Sequence, residues 1–187
     1  MSNGKLFVIS GASGVGKGTV LKRVMEKRDG LAFSVSATTR DPRDNEIDGV
    51  HYDFITKDAF EEMIRQDGFL EYSSHHDNYY GTPSGQVMDK LSRGHVLLDI
   101  DPVGAKQVLA KCPDATLIFI MPPSVEELES RLRGRGDTSE EQIKIRLERA
   151  IWEMEQQDWY HHVVVNKVVD DCANEILNII SAAADTN

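Results

Sequence analysis

The chain has 187 residues, of which 40% are hydrophobic and 28% charged, and this suits one domain with a substantial core. Its net charge of −10 argues against a nucleic-acid-binding protein, which needs a basic face. The two cysteines have no metal-ligand spacing, and the first apolar run, Leu6 to Ile9, is too short for a signal peptide or a membrane span. We therefore expect a cytoplasmic protein without nucleic-acid or membrane partners.

The predicted elements alternate along the chain. The run "KLFVIS" ends in Gly11 and predicts a buried strand, and the apolar spacing of Val20, Leu21 and Val24 predicts the helix that follows it. Three more apolar runs, "HVLLDID", "TLIFIMP" and "HHVVVN", are each followed by a helical pattern. Continuous apolar strands separated by helices predict an α/β fold with a parallel sheet covered on both faces.

Two segments interrupt this alternation. Residues 33–82 are rich in Thr, Tyr and Ser and contain turn signals, which predicts a small, irregular β lobe inserted into the α/β core. Residues 131–149 are dense in arginine, and Thr138 with Glu141 fits a capping box that starts a new helix. The apolar face predicted for that helix consists of Ile143, Leu147, Ala150, Ile151 and Met154.

The stretch "ISGASGVGKGT" has the context of a phosphate-binding loop. Gly11 follows a strand and Lys17 opens a helix, so that backbone N–H groups and the helix N-terminus can surround an anion while the lysine charge reaches the β- and γ-phosphates. The alternative is a simple glycine-rich turn. Gly18 stands where Ser or Thr normally follows the lysine, so the hydroxyl for Mg²⁺ must come from Thr19 or from water.

Acidic residues end the strand "HVLLDID". Asp99 or Asp101 would lie near the loop, at the sheet edge where such folds bind ligands, and can hold Mg²⁺ through water. The alternative is that one of them caps the following turn.

The inserted segment carries a second group of anion-binding side chains. Arg40 and Arg43 flank a turn, so both guanidinium groups can converge on one phosphate, with hydroxyls from Tyr52 and Tyr80. The alternative is a salt-bridged pair on the surface.

Glu71 is an acid inside an apparent strand, in "FLEYSS". Its carboxylate can accept from guanine N1–H and the 2-amino group, while Ser36 and Thr82 can donate to guanine O6. Taken alone, Glu71 is more typical of a solvated strand residue.

The arginine-dense segment can act as a lid. Phosphoryl transfer requires positive charge around the equatorial oxygens of the moving group, and an arginine-bearing loop can close over a nucleotide. An exposed helix face with Glu/Arg pairs is the alternative, and it is favoured for Arg133 and Arg149. The candidates are Arg131, Arg133, Arg135, Arg146 and Arg149.

Together these motifs resemble the guanylate kinase family over nearly the whole chain. The most specific are "FSVSATTRDPR", "FLEY…NYYGTP", "LLDID" and "MPPS…RLRGRG". The resemblance implies a phosphate-loop kinase core at 1–32, 83–125 and 156–187, a GMP-binding lobe at about 33–82 and a helical lid at about 126–155. It also implies the reaction ATP + GMP → ADP + GDP with Mg²⁺.

The resemblance assigns roles position by position. Arg40, Arg43, Tyr52 and Tyr80 would hold the GMP phosphate, and Ser36, Glu71, Thr82 and Asp101 would read guanine. The loop Gly11, Ala12, Ser13, Gly14, Val15, Gly16, Lys17, Gly18 and Thr19 would bind ATP, with Asn166 beside the adenine. The catalytic group would be Lys17, Arg43, Arg135 and Arg146, and Thr19 and Asp99 would contact Mg²⁺.

Three positions depart from the family pattern: Ala12, Gly18 and Lys167. Only Gly18 affects a predicted contact, the one to Mg²⁺. A kinase of AMP or dTMP would share the loop and lid, but Glu71 favours guanine. A non-enzymatic scaffold of the same shape would be expected to lack Lys17 and the lid arginines. Whether the protein is a monomer or a homo-oligomer stays open.

Overall fold

A computed structural model describes residues 4–75, 77–134 and 139–185 of this chain. Its strands are β1 (Leu6–Gly11), β2 (Leu31–Phe33), β3 (Ser36–Thr38), β4 (Tyr52–Phe54), β5 (Phe69–His75), β6 (Asn78–Pro83), β7 (His95–Asp99), β8 (Thr116–Met121) and β9 (His162–Val165). Its helices are α1 (Lys17–Lys27), α2 (Lys57–Arg65), α3 (Ser84–Leu91), α4 (Pro102–Lys111), α5 (Val125–Arg133), α6 (Glu140–Met154) and α7 (Val169–Asp185).

The main sheet is parallel throughout and has the strand order β2-β7-β1-β8-β9. Because successive strand residues point to opposite faces, β1 supplies two cores. Phe7 and Ile9 pack in the cluster that includes α1 and α7, whereas Leu6 and Val8 pack in the cluster on the α4 side. The prediction of an α/β fold with both faces covered is confirmed.

The inserted segment forms a small sheet with the strand order β4-β3-β6-β5. Strands β3 and β4 are parallel, whereas β3–β6 and β5–β6 are antiparallel, so this sheet is mixed. Helix α2 packs on it through Phe60, whose ring centroid lies 4.3 Å from that of Phe69. Phe33, which the sequence analysis placed in the insert, instead pairs with Leu97 in the main sheet.

Helix α6 differs in two details from the sequence expectation. Its N-cap is Ser139, whose hydroxyl accepts from the N–H of Gln142 at 3.3 Å, whereas the predicted cap Thr138 lies outside the described residues. Ile151, which was predicted to lie on the apolar face, is 38% exposed. Glu153, which was not, is only 4% exposed. A charged side chain can be buried there because it is hydrogen-bonded.

None of the helices in the described part of the chain is long and apolar enough to cross a membrane.

Candidate active site

The phosphate loop connects β1 to α1 through glycines in left-handed backbone conformations. Gly14 and Gly16 have φ angles of +89° and +91°, and Gly16 is the N-cap of α1. A Cβ atom at Gly14 would lie 2.6 Å from Leu132 Cδ2. The loop conformation therefore requires glycine at both positions.

Two side chains fasten the loop through the carbonyl of Val15. Asn166 Nδ2 donates to this oxygen at 2.8 Å and Arg131 Nη1 donates to it at 3.1 Å. Arg131 Nη2 also donates to the Asn166 carbonyl at 3.1 Å, and Asn166 is only 3% exposed. Arg131, a candidate for a moving lid residue, is thus fixed to the loop in this structure.

A third contact joins the loop to α6. Glu153 is 4% exposed, and its Oε2 accepts the backbone N–H of Ser13 at 2.7 Å. Its Oε1 accepts from Arg149 Nε at 3.0 Å. Glu153 carries no signal in the sequence beyond standing four residues after an arginine, so no role was predicted for it.

A cavity of about 970 Å³, which we call the loop cavity, lies along the phosphate loop and α6. Lys17 forms an ion pair with Asp99 there, and its Nζ lies 3.4 Å from the carbonyl oxygen of Ile100. The predicted catalytic residue Arg135 lies outside the described residues. The lining residues are Gly11, Ala12, Ser13, Gly14, Val15, Gly16, Lys17, Gly18, Thr19, Asp101, Gln142, Ile145, Arg146, Arg149 and Glu153.

A second cavity of about 230 Å³ lies between the small sheet and the end of β7. We call it the small-sheet cavity. The structure brings five of the residues predicted to bind GMP to its wall, whereas Arg40, Arg43 and Thr82 do not line it. The lining residues are Ser36, Tyr52, Glu71, Ser73, Tyr80, Gly81, Asp99, Ile100, Asp101 and Arg149.

Glu71 is buried in the wall of this cavity and is not a solvated strand residue. It is 5% exposed, and its Oε1 accepts the hydroxyl of Thr82 at 2.6 Å. A Cβ at Gly104 would lie 2.6 Å from its Oε2, so α4 packs closely against the carboxylate. Burial, with a smaller contribution from Asp101, raises the pKa of Glu71 to about 7.

The Thr82 proton is therefore donated to Glu71 in this structure. The contact predicted for Thr82 is a direct donation to guanine O6. A hydroxyl has one proton, so the same proton cannot serve both acceptors. The contact observed for Thr82 is this hydrogen bond to the Glu71 carboxylate.

Arg40 and Arg43 both act on the carboxylate of Glu46 in this structure, and neither lines the small-sheet cavity. Arg40 Nη1 and Nη2 each donate to Glu46 at 2.6 Å, and the Arg40 guanidinium lies 5.2 Å from the ring centroid of Tyr52. Arg43 is exposed, and its backbone N–H donates to Glu46 at 2.9 Å. These donors lower the pKa of Glu46 to about 2, Arg40 contributing most. The salt-bridged alternative thus describes Arg40, although its side chain is only 13% exposed.

Asp101 and Arg149 lie on the walls of both cavities. Asp101 Oδ1 caps α4 by accepting the N–H of Gly104 at 2.8 Å, and its Oδ2 lies 3.4 Å from Arg149 Nη2. The turn-capping alternative is thereby correct for Asp101. Arg149 is exposed and paired with Glu153 four residues later, as predicted for a helix face with Glu/Arg pairs. The sequence alone does not show that this side chain also lines both cavities.

The comparisons with known proteins agree with this architecture. The family model for guanylate kinase matches residues 3–183. The chain is 46% identical over 183 residues to a guanylate kinase of Clostridioides difficile, with 97% of this chain and 89% of that protein covered. It is 49% identical over 180 residues to a guanylate kinase of Thermus thermophilus, with 96% of this chain and 81% of that protein covered.

A solved structure of guanylate kinase from Anaplasma phagocytophilum matches with a TM-score of 0.81 at 29% identity. The match covers 100% of this chain and 89% of that one. Because the family model spans nearly the whole chain, the protein belongs to the guanylate kinase family.

Proposed function

We propose that the loop cavity is the ATP site and the small-sheet cavity the GMP site of this kinase. The reaction is the ATP-dependent phosphorylation of GMP, ATP + GMP → ADP + GDP. The observation that carries the assignment is that the two cavities adjoin and share Asp101 and Arg149. Two nucleotides bound there would have their phosphates facing one another, which in-line transfer requires.

In the proposed donor site, backbone N–H groups between Gly11 and Thr19 surround the ATP phosphates. The partial positive charge at the N-terminus of α1 and the ammonium of Lys17 add to this field. Asn166 supports the site from outside, since its amide fixes the Val15 carbonyl. Arg146, which lines the loop cavity, and Arg135 would neutralise the transferring phosphoryl group.

In the proposed acceptor site, Glu71 reads the base. Its carboxylate accepts from guanine N1–H and the 2-amino group, Thr82 holds it in place, and Ser36 and Asp101 complete the base contacts. Adenine offers an acceptor at N1 and no donor at C2, so it would leave the buried carboxylate unpaired. Such a mismatch is costly and gives the site its preference for guanine.

The GMP phosphate would be held next to the base site by Arg40, Arg43, Tyr52 and Tyr80. Tyr52 and Tyr80 line the small-sheet cavity, and Arg40 stacks on Tyr52 while Glu46 orients it. The exposed Arg43 would turn inward once a phosphate is bound. This movement would bring both guanidinium groups onto the phosphate.

Guanylate kinases are nucleotide kinases that generally need a divalent metal, and we propose Mg²⁺. Thr19 lines the loop cavity and Asp99 lines the small-sheet cavity, so oxygen donors of the type Mg²⁺ prefers are present. Within the described ranges no three His, Cys, Asp or Glu residues form a metal site. Such a donor set fits an ion held largely by nucleotide phosphates and water. Bound Mg²⁺ would offset the negative charge that the phosphoryl oxygens carry.

The division into core, GMP-binding lobe at 33–82 and lid at 126–155 belongs to the same proposal. GMP would draw the small sheet toward the core and ATP would bring the lid down, which excludes water and suppresses ATP hydrolysis. Small-angle scattering with and without both nucleotides measures this closure. A radius of gyration unchanged by both ligands would contradict it.

The decisive assay is ADP formation from ATP with GMP, AMP, dTMP or UMP as acceptor. We expect the highest kcat/KM with GMP. Faster turnover of AMP or dTMP would assign the acceptor site to another base, and an absence of turnover with all four would favour a binding module.

A further inference from the structure

We propose that Arg149 is a further catalytic residue, whose guanidinium contacts the phosphates of both nucleotides where the two cavities meet. This inference rests on the proposed function of those cavities. Among the described residues, Arg149 and Asp101 are the two found on both walls. Arg149 is the cation of this pair, and it lies on the path between a donor phosphate at the loop and an acceptor phosphate beside Tyr52 and Tyr80.

One end of the Arg149 side chain is firmly held. Its Nε donates at 3.0 Å to Oε1 of Glu153, and Oε2 of the same buried carboxylate accepts the Ser13 N–H at 2.7 Å. The stem of the arginine is therefore fixed relative to the phosphate loop. A cation positioned in this way needs little reorganisation when charge develops in the transition state.

The other end of the guanidinium is weakly held. Its contact from Nη2 to Asp101 Oδ2 is 3.4 Å, whereas a charge-assisted hydrogen bond between an arginine and a carboxylate is about 2.7–2.9 Å long. A phosphate oxygen can replace this contact without disturbing the bond from Nε to Glu153. The Nη groups would then bridge oxygens of the two nucleotides, as the fork of an arginine allows.

The charge balance at the junction favours this role. Asp99, Asp101 and Glu153 supply carboxylates on the cavity walls, and ATP and GMP bring further negative charge. Lys17 is paired with Asp99 in this structure. A second fixed cation at the junction would reduce the repulsion between the two sets of phosphates as they approach.

The test compares Arg149→Gln with a matched control, Arg133→Gln. Both arginines are similarly exposed, 44% and 45%, and each donates from Nε to a glutamate four residues away, but Arg133 lines neither cavity. We expect Arg149→Gln to lower kcat by about 10- to 100-fold. Arg149→Lys should retain part of the rate, because it keeps the charge and loses the fork. Arg133→Gln should stay within about twofold of the parent, as expected for a surface pair.

Binding measurements separate contact with both nucleotides from contact with one. In calorimetry, a ligand that joins guanosine and adenosine through five phosphates should lose about tenfold in affinity for Arg149→Gln. GMP alone and ADP alone should each lose less. An equal loss for GMP alone, or kinetics equal to those of Arg133→Gln, would overturn the proposal.

A double variant excludes a purely structural role. If Arg149 acted only by neutralising buried Glu153, then Arg149→Gln/Glu153→Gln would be no slower than Glu153→Gln alone. We expect the double variant to be about 10- to 100-fold slower than Glu153→Gln, and equal rates would overturn the proposal. The parent enzyme's turnover of GMP with ATP tests the proposed function separately, so failure of one is distinguishable from failure of the other.

Discussion

The two cavities are built in different ways. The loop cavity takes much of its wall from one continuous segment, Gly11 to Thr19, whose conformation is set by glycines and whose ligand groups are largely backbone N–H. The small-sheet cavity takes most of its wall from residues on β3, β4, β5, β6 and the end of β7, with Arg149 of α6. A short motif can therefore define the first, whereas the second exists only once distant strands are brought together.

Their electrostatics also differ. Lys17, Arg146 and Arg149 line the loop cavity, where phosphates need cations, and Glu71 is a buried acid in the small-sheet cavity, where guanine offers donors. The first site should depend mainly on charge and the second on matched hydrogen bonds. One variant that removes a charge from the loop cavity and another that removes a hydrogen-bond acceptor from the small-sheet cavity can test this difference.

The largest effect is expected from Lys17→Met. It removes the ammonium that would act on the transferring phosphate, and loss of one preorganised electrostatic partner typically costs about 10²–10³ in rate. Steady-state kinetics measure kcat, and circular dichroism checks the fold. Lys22→Met, an exposed position on the same helix, is the control and should leave kcat unchanged. Near-normal turnover of the Lys17 variant would remove the loop from the mechanism.

Glu71→Gln should have the next largest effect, confined to the acceptor site. The amide replaces one acceptor oxygen with a donor, so the KM for GMP should rise by about 10- to 100-fold while the KM for ATP changes little. AMP should remain a poor substrate. The exposed Glu62→Gln on α2 serves as control. Unaltered GMP kinetics would show that Glu71 does not read the base.

The same carboxylate predicts a pH dependence. Its pKa is raised to about 7, and only the ionised form can accept both guanine N–H groups. About one-tenth is ionised at pH 6, so the KM for GMP should rise about tenfold between pH 8 and pH 6. The GMP phosphate is also protonated in this pH range. The Glu71→Gln variant keeps only the effect of phosphate protonation on the KM, so its pH profile serves as the correction. Equal profiles for parent and variant would contradict the prediction.

The raised pKa of Glu71 makes protein stability change with pH in the opposite direction to GMP binding. Because the pKa in the folded state lies above the ordinary 4.5, the folded protein holds the proton more tightly than the unfolded chain. The contribution of Glu71 to stability is therefore most favourable at low pH and declines as pH rises from about 4.5 through 7. Thermal unfolding of Glu71→Gln should lack this component of the pH dependence.

Much of the fold could be predicted from the sequence because its signals are local. Buried parallel strands read as continuous apolar runs, and the loop glycines and Lys17 stand in one uninterrupted motif. The resemblance named Ser36, Tyr52, Tyr80 and Asp101, which the structure gathers at one cavity. The motifs alone could not show that these positions meet, since the strands that carry them are far apart in the chain.

The predictions that failed concern polar side chains whose burial depends on contacts with other elements of the fold. Glu71 looks solvated until the hydroxyl of Thr82 and the close approach of Gly104 are seen. Glu153 is buried on α6, where the hydrophobic pattern predicts apolar residues instead. It can be buried because its carboxylate accepts the N–H of Ser13. Polar burial depends on a partner from another element, and periodicity does not reveal that partner.

The smallest effect concerns Gly18, the departure within the loop motif. A Cβ there would meet nothing within 4 Å, in contrast to Gly14, so Gly18→Ser should fit. Serine favours a helix by about 0.5 kcal/mol over glycine, and its hydroxyl would stand beside Thr19, where the proposed Mg²⁺ binds. The Mg²⁺ concentration for half-maximal rate should fall by about twofold to threefold if this oxygen reaches the ion.

Gly85→Ser provides the matched control for this variant. Gly85 is likewise the second residue of its helix, α3, and has open space around it, but it lines neither cavity. Both variants should gain the same small thermal stability, and only Gly18→Ser should change the Mg²⁺ dependence. If the two variants show the same Mg²⁺ dependence, Thr19 and water suffice at the metal. A large loss of rate in Gly18→Ser would instead mean that ATP approaches the backbone too closely for any side chain at this position.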